Sequence, residues 1–339
     1  MLLTLNANSV RSMLVPQGRR KKADLALRDL PAYTREELGL HGLNIPTDIL
    51  AGAATRDALT DLRERADKAG ASILLLMESE ALPMGAADEA RAQAGVDRLL
   101  RVVQAASVLG CNSASVGVAT EGAGDEAQFD RIAQRMKRVL ERAERLEVNV
   151  LISPRPGLTE TPEKITELIK KIGGFRVGTF PDFEAAVLSG DGPTYMRRLT
   201  PYASVVNAST RTFAEPAGEE PAPRKRKKRR DEPDEVEDRE PDEAEADDEA
   251  ALDLDPDASP EDRLLAAIMG GADLDEEEDD LGPVAQHVEY DLRPLVEAVT
   301  AVGYDGTLSI DYRGEGDPAL GIAQSRDALE AALDAIAGG

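Results

Sequence analysis

The sequence predicts a (β/α)8 barrel interrupted by one long acidic insertion between its seventh strand and seventh helix. Three observations carry this prediction. Eight short apolar runs alternate strictly with eight helical patterns. The alternation fills 266 of the 339 residues, close to the roughly 250 that an eight-stranded parallel barrel takes. In the clearest strands one face is aliphatic and the other turns small or polar toward the C-terminal end, as closure demands. An open doubly wound sheet is the competitor, but it has no need of eight equal units.

The strand runs are Leu2 to Asn6, Leu40 to Ile45, Ser72 to Met77, Ser113 to Val118, Val148 to Ser153, Arg176 to Asp182, Ser204 to Ser209 and Gly306 to Tyr312. In the last, Leu308 and Ile310 point toward helices while Thr307, Ser309 and Asp311 point inward. In the fifth, Val148, Val150 and Ile152 face out, and Asn149, Leu151 and Ser153 face in. Helical spacing marks RDALTDLRERADKAG, EAQFDRIAQRMKRVLERAERL and TPEKITELIKKIGG, where apolar residues recur three and four apart. In the third, Thr161 is the expected N-cap, Pro162 the first helical residue and Gly173–Gly174 the stop. The seventh helix is expected over Asp291 to Ala301 and the eighth over Pro318 to Ala337.

Charge divides the chain. Residues 214–286 carry 28 Asp and Glu against 9 Lys and Arg, a net of −19, leaving the barrel segments 1–213 and 287–339 close to −6. The insertion is rich in Pro and like-charge runs and poor in large apolar residues. Such a segment cannot bury enough apolar surface to offset its ordering entropy, so it is expected to be disordered. One short helix is expected over Pro260 to Met269, where Leu264, Leu265 and Ile268 share a face. The run Arg224 to Arg230 reads as a charge-balanced tether or a polyanion-binding patch. A barrel loop after the seventh strand lies on the C-terminal face, where active sites are built, so the insertion is rooted at the mouth.

The acidic balance excludes a globally basic nucleic-acid-binding protein. No run approaches the ~20 apolar residues of a membrane span. The N-terminus lacks the cationic stretch and cleavage pattern of a signal peptide. The single Cys111 permits no intramolecular disulfide and is expected reduced in a core. The protein is therefore expected to be cytoplasmic, and the Ala-, Arg- and Asp-rich background bacterial. Two histidines, His41 and His287, exclude any site of three His ligands within one chain, and both are expected to be surface or structural residues.

Polar strand ends are the candidate site residues: Asn6, Asn44, Glu78, Glu121, Ser153, Asp182, Asn207 and Asp311. Carboxylates with Asn and Ser oxygens suit Mg²⁺ or Mn²⁺ better than Zn²⁺. Asp182 precedes a helical stretch, so N-capping is its competing role. Arg155 follows Ser153 by two residues and Arg313 follows Asp311 by two. Alternation places each arginine at the mouth, where guanidinium groups recognise phosphate or carboxylate. The structural alternative for Arg313 is a rim ion pair with Glu315 or Asp317.

The stretches LRDLPAYTREELGLHGLNI, VNVLISPRPGLTETPEKITELIKKI, VGTFPDFEAAVLSGDGPTYMRRLTPYASVVNAS and VGYDGTLSIDYRGEGDP resemble the sugar phosphate isomerase/epimerase group, the xylose isomerase-like TIM barrels. The resemblance covers nearly the whole body. It implies one divalent metal held by Glu, Asp, His and Glu at the ends of strands five to eight, with the two Glu also moving protons. Here those positions read Ser153, Asp182, Asn207 and Asp311. Only Asp182 keeps its type, and the proton shuttle between two Glu is lost. Glu78 or Glu184 are the carboxylates available to replace it. Related DNA-repair endonucleases of this fold need a histidine-rich trinuclear zinc site, which two histidines cannot supply.

Two functions follow as expectations. The first is a metal-dependent isomerase or epimerase of a small sugar, sugar phosphate or hydroxy-carbonyl compound. In it Asp182, Asp311 and Asn207 hold Mn²⁺ or Mg²⁺, Asp311 and Glu78 move protons, and Arg155, Arg313 and Ser153 bind substrate. The second is a catalytically degenerate barrel with no metal. It would bind an anionic metabolite, or a protein partner through the insertion.

Overall fold

The computed structural model describes residues 1–16, 23–50, 55–122, 124–214 and 284–338. Eight parallel strands carry the architecture: β1 (Leu2–Asn6), β2 (Gly42–Pro46), β3 (Ser72–Leu82), β4 (Ser113–Val118), β5 (Asn149–Ser153), β6 (Val177–Thr179), β7 (Val205–Thr210) and β10 (Thr307–Tyr312). Two short strands, β8 (Phe213–Ala214) and β9 (Gln286–His287), stand apart from them. The eight pair in the order β6–β5–β4–β3–β2–β1–β10–β7. The two ends of that order meet through bridges between Thr179 and Ala203 and between Asp182 and Asn207, and the Asn207 N–H donates to the Pro181 carbonyl at 2.8 Å. The sheet is therefore curled to closure.

The helices are α1 (Arg11–Leu14), α2 (Leu30–Glu36), α3 (Arg56–Ala69), α4 (Glu89–Leu109), α5 (Glu126–Arg145), α6 (Pro162–Ile172), α7 (Phe183–Leu188), α8 (Gly192–Leu199), α9 (Arg293–Thr300) and α10 (Pro318–Ala337). The cap signals act where the sequence places them. The Thr161 hydroxyl accepts from the Lys164 N–H, Pro162 is the first residue of α6, and Gly173 follows it at φ +70°. Gly190 at φ +89° separates α7 from α8.

Two apolar layers sit on the two faces of the sheet, as for strands buried on both sides. Val150, Ile152, Leu308 and Ile310 join the large outer core. Leu151 joins Leu75, Met77, Phe180 and Val205 in a small cluster of their own. The alternation expected for the fifth and eighth strands is thus present. Asn44 is buried in the barrel interior, where its Nδ2 donates to Thr4 Oγ1 and Ser309 Oγ, both at 2.8 Å. It is a structural crosslink between three strands, not a residue of the mouth.

Several strand ends shift by one or two residues from expectation, β2 for example beginning at Gly42 and not Leu40, and three of the differences have a clear physical reason. β3 continues past Met77 to Leu82, with its register against β4 shifting between Met77 and Ala81. That irregularity carries Glu78 into the strand. β6 stops at Thr179, because Pro181 has no N–H to donate and Asp182 turns to cap α7. The seventh helix starts at Arg293, two residues later than expected, with Pro294 in its first turn.

Residues 215–283, with the helix expected over Pro260 to Met269, lie outside the described residues. What is described is the neck of the insertion. There β8 pairs antiparallel with β9, Phe213 opposite His287 and Ala214 opposite Gln286. His287 is buried edge-on between Phe213 and Tyr290, at ring distances of 5.4 and 4.3 Å. Its Nε2 accepts the Arg211 N–H and its Nδ1 faces the Tyr290 carbonyl, both at 2.9 Å. With Nε2 accepting from the Arg211 N–H, Nδ1 is left to donate to the Tyr290 carbonyl. His287 is structural, and His41 is exposed with Nε2 3.3 Å from Arg35 Nη1. Among the described residues no helix is long and apolar enough to cross a membrane.

Cys111 is free and buried, and burial pushes its thiol up to about 12. A neutral, covered thiol does not react. Labelling of the folded protein with a disulfide reagent at pH 8 is therefore expected to proceed only at the rate of unfolding. A burst of one thiol per chain on mixing would contradict this.

Candidate ligand site at the barrel mouth

A cavity of about 530 Å³ opens among the strand ends, and Asn6, Glu78, Ser153, Arg155, Asp182, Glu184, Asn207, Asp311 and Arg313 are among the residues that line it. Its position follows from the fold. Inward-facing residues near the C-termini of β1, β7 and β10, with the β6–α7 turn, converge on one point.

At that point sits a guanidinium. Arg313 Nη2 lies 2.7 Å from Asp182 Oδ2 and 2.7 Å from Asp311 Oδ2. Its Nε donates to Asp311 Oδ2 at 2.9 Å, and its Nη1 pairs with Glu184 Oε2. Asn207 reinforces the arrangement. Its Nδ2 donates to Asp182 Oδ2 at 2.7 Å and to Asp311 Oδ2 at 2.8 Å, while its Oδ1 accepts from Asn6 Nδ2 at 3.0 Å. The orientation of this amide is fixed by its neighbours. Reversed, it would set an oxygen against two carboxylates and a nitrogen against a nitrogen.

Burial works against the charge of Arg313, but Asp311 and Asp182 more than offset it and raise the guanidinium above its ordinary value. Burial likewise pushes the Glu184 carboxyl up. Hydrogen bonds from Arg211 and Arg313 overcome that and leave it below the usual carboxylate range. Charge pairing therefore outweighs desolvation at Arg313 and Glu184. Tyr290 stands over the cluster with its hydroxyl donating to the Ser209 carbonyl, and burial pushes that phenol up to about 12.

Each residue singled out from the sequence now has a place. Asp182 fills both roles weighed for it: Oδ1 caps α7 by accepting the Ala185 N–H at 2.9 Å, and Oδ2 faces Arg313 and Asn207. The rim pair of Arg313 with Glu315 or Asp317 does not form, because the side chain folds inward onto Asp182, Glu184 and Asp311. Asn207 is buried in the cluster, but presents nitrogen and not oxygen to the carboxylates. Asp311 is buried, with Oδ1 lacking a partner among the described residues.

Glu78 reaches the cavity wall with both oxygens engaged: Oε2 by Arg98 Nε at 2.8 Å, Oε1 by the Glu80 N–H at 3.2 Å. The free base expected there is an ion-paired strand residue. Ser153 and Arg155 line the cavity with no hydrogen bond or ion pair to their side chains among the described residues. Glu121 pairs with Arg91 at 2.8 Å.

Glu184 reaches the cluster from the first turn of α7, held on its other side by Arg211 Nη2 at 2.7 Å. Ser209 and Arg211 were not among the candidates. Ser209 donates weakly to Asp182 Oδ1 at 3.4 Å and accepts from the Glu184 N–H at 2.9 Å. The available signal was alternation, since both follow Asn207 at steps of two along one face of the chain.

These residues do not fit a divalent cation. Such an ion takes oxygen ligands on every side. Here the shared carboxylate oxygens face N–H donors of Arg313 and Asn207, and the guanidinium already occupies the place between them. Among the described residues no three His, Cys, Asp or Glu side chains are grouped to hold a metal ion.

A family model described as a xylose isomerase-like TIM barrel matches residues 35–332. No curated protein matches the chain. Among solved structures, an L-ribulose 3-epimerase superposes with a TM-score of 0.64 at 14% identity, covering 99% of this chain and 97% of its own. The 3-keto-D-glucoside 4-epimerase of E. coli superposes at 0.61 with 12% identity, covering 98% of this chain and 99% of its own. The IOLI protein, whose structure holds a zinc atom, superposes at 0.63 with 13% identity, covering 99% of each chain. Likeness at this identity speaks for the fold, not for the chemistry of the mouth.

Proposed function

The chain belongs to the xylose isomerase-like TIM barrel family, and from that premise we propose that its mouth binds a small polyhydroxylated carbonyl compound of the sugar class without a divalent metal. One observation carries the reading: the Arg313 guanidinium lies between Asp182 and Asp311, each at 2.7 Å. The resident guanidinium is shared between the two carboxylates. They and Asn6 and Asn207 form a rigid polar wall suited to hydroxyl groups. Glu78 is paired with Arg98 and does not stand free as a general base. The reading is therefore of a binding barrel.

A second reading has one observation in its favour. Asp311 Oδ1 is buried with no partner among the described residues. In an isomerase or epimerase that oxygen would accept a proton from the carbon beside the substrate carbonyl, once substrate opens the cluster. Arg313 would stabilise the developing enediolate oxygen. Turnover of a ketose in the presence of a chelator, lost in Asp311→Asn, would favour this reading over binding alone.

The test of the metal-free assignment is titration calorimetry with Mn²⁺ and Mg²⁺. No saturable site is expected on the wild type. One site per chain, abolished by Asp182→Ala and by Asp311→Ala, would overturn the assignment. The sugar-class assignment is tested separately with ketopentoses and ketohexoses in the presence of chelator. Failure of all of them to bind, with or without metal, would overturn it.

A further inference from the structure

We propose that Arg155 is the seat of an oxyanion, so that the ligand of the mouth carries a phosphate or carboxylate group. This rests on the reading of the mouth as a sugar-class site and narrows it. The argument starts from charge balance. Arg11 on the cavity wall is held by Asp48 at 2.7 Å, Glu78 is held by Arg98 at 2.8 Å, and the Arg313 cluster is closed on itself. Arg155 is the one charged lining residue without a partner among the described residues. An anion arriving at Arg313 or Arg11 would have to displace a carboxylate. At Arg155 it displaces only water.

The second observation is that the sequence makes room for this side chain. A Cβ on Gly117 would lie 2.7 Å from Arg155 Nε and 3.1 Å from its Cγ. Gly117 stands in β4 opposite Ser153 of β5 and has no left-handed backbone to explain it. Its lack of a side chain lets the Arg155 stem cross above the neighbouring strand. The hydroxyls of Ser115 and Ser153, on those same two strands, line the cavity and have no partner among the described residues. A guanidinium with free hydroxyl donors beside it is the chemistry of phosphate and carboxylate recognition.

The third is rigidity. The Arg155 N–H donates to the Thr159 carbonyl at 3.1 Å, and Thr120 Oγ1 accepts the Leu158 N–H at 2.9 Å. Pro154 and Pro156 flank the arginine and fix the backbone on both sides. The turn therefore holds the base of the side chain in place before any ligand arrives, which limits the ordering cost of binding.

The test is titration of the full-length protein with inorganic phosphate at low ionic strength, then with D-ribose 5-phosphate, D-ribonate and D-ribose. Arg155→Met is the variant, since this exposed residue has no side-chain hydrogen bond or ion pair to lose among the described residues. Expected are saturable phosphate binding to the wild type, at least tenfold weaker in Arg155→Met, and tighter binding of a charged probe than of D-ribose. Preference for D-ribose 5-phosphate identifies a phosphate seat, and preference for D-ribonate a carboxylate seat. Phosphate binding that is absent, or equal in the variant, overturns the proposal. Equal binding would place the anion elsewhere, as on the run Arg224 to Arg230. If phosphate binding depends on Arg155 while no sugar probe binds better than phosphate, the oxyanion seat stands and the sugar-class reading fails.

Discussion

Replacing Arg313 with Met is expected to lower stability by about 3 kcal/mol at pH 7, the lower end of the cost of leaving buried charges uncompensated. Met keeps most of the apolar stem and removes only the cation. Asp182, Asp311 and Glu184 then face one another, with Asn207 and Arg211 as remaining donors. The loss depends on pH with a definite sign. In the wild type the Glu184 carboxyl lies below its usual range, so its contribution is present above the unfolded value of about 4.3. It is lost as pH falls through the lower folded value. The gap between wild type and variant is thus full at neutral pH and closes in acid, where the carboxylates no longer need a counter-charge. Urea denaturation at pH 7, 5 and 3.5 measures it. Equal midpoints at pH 7, or a gap that does not change with pH, would show that Arg313 does not balance this cluster.

Gly178→Ala is expected to be the most damaging single-methyl addition in the barrel. A Cβ there would lie 2.3 Å from the Tyr202 carbonyl oxygen and 3.1 Å from Leu151 Cδ2. The obstacle is backbone, which cannot rotate away as a side chain can. Gly178 sits in β6 next to Thr179, whose bridge to Ala203 helps join the two ends of the sheet. Relieving the clash must pull β6 from β7 and carry Asp182 away from Asn207. Overpacking typically costs 1–3 kcal/mol, and about 3 is expected here, equivalent to a fall in Tm of about 6–12 °C. Calorimetric unfolding measures the fall. A Tm within 2 °C of wild type would mean that the seam between β6 and β7 is pliant.

The two predictions probe the two kinds of information in this molecule. The barrel was legible from local pattern. Alternation in the fifth and eighth strands told which side chains face in, and the Thr161–Pro162 start and Gly173 stop of α6 stand where the sequence placed them. The boundary differences with a clear cause arise where something interrupts the periodic pattern: the register shift of β3 against β4, Pro181 and the Asp182 cap after β6, and Pro294 in the first turn of α9. The candidate site was legible only as a set of positions. Asp182, Asn207 and Asp311 were named, and they meet; Glu78 was named as a base, and it is paired instead with Arg98.

What the sequence determined by itself is therefore the repeating architecture, the place of the insertion and the residues that arrive at the mouth. Those depend on periodicity, caps and turns, each set by a few neighbouring residues. Only the tertiary structure decided what the mouth contains. Arg313 lies 131 residues from Asp182 and two from Asp311, and local spacing favoured a rim pair with Glu315 or Asp317. Closure brings β10 beside β7 and the β6–α7 turn, so the arginine meets three carboxylates and a donor amide at once. Charge pairing acts through space, and the pairs that win are those whose combined field exceeds the cost of burial.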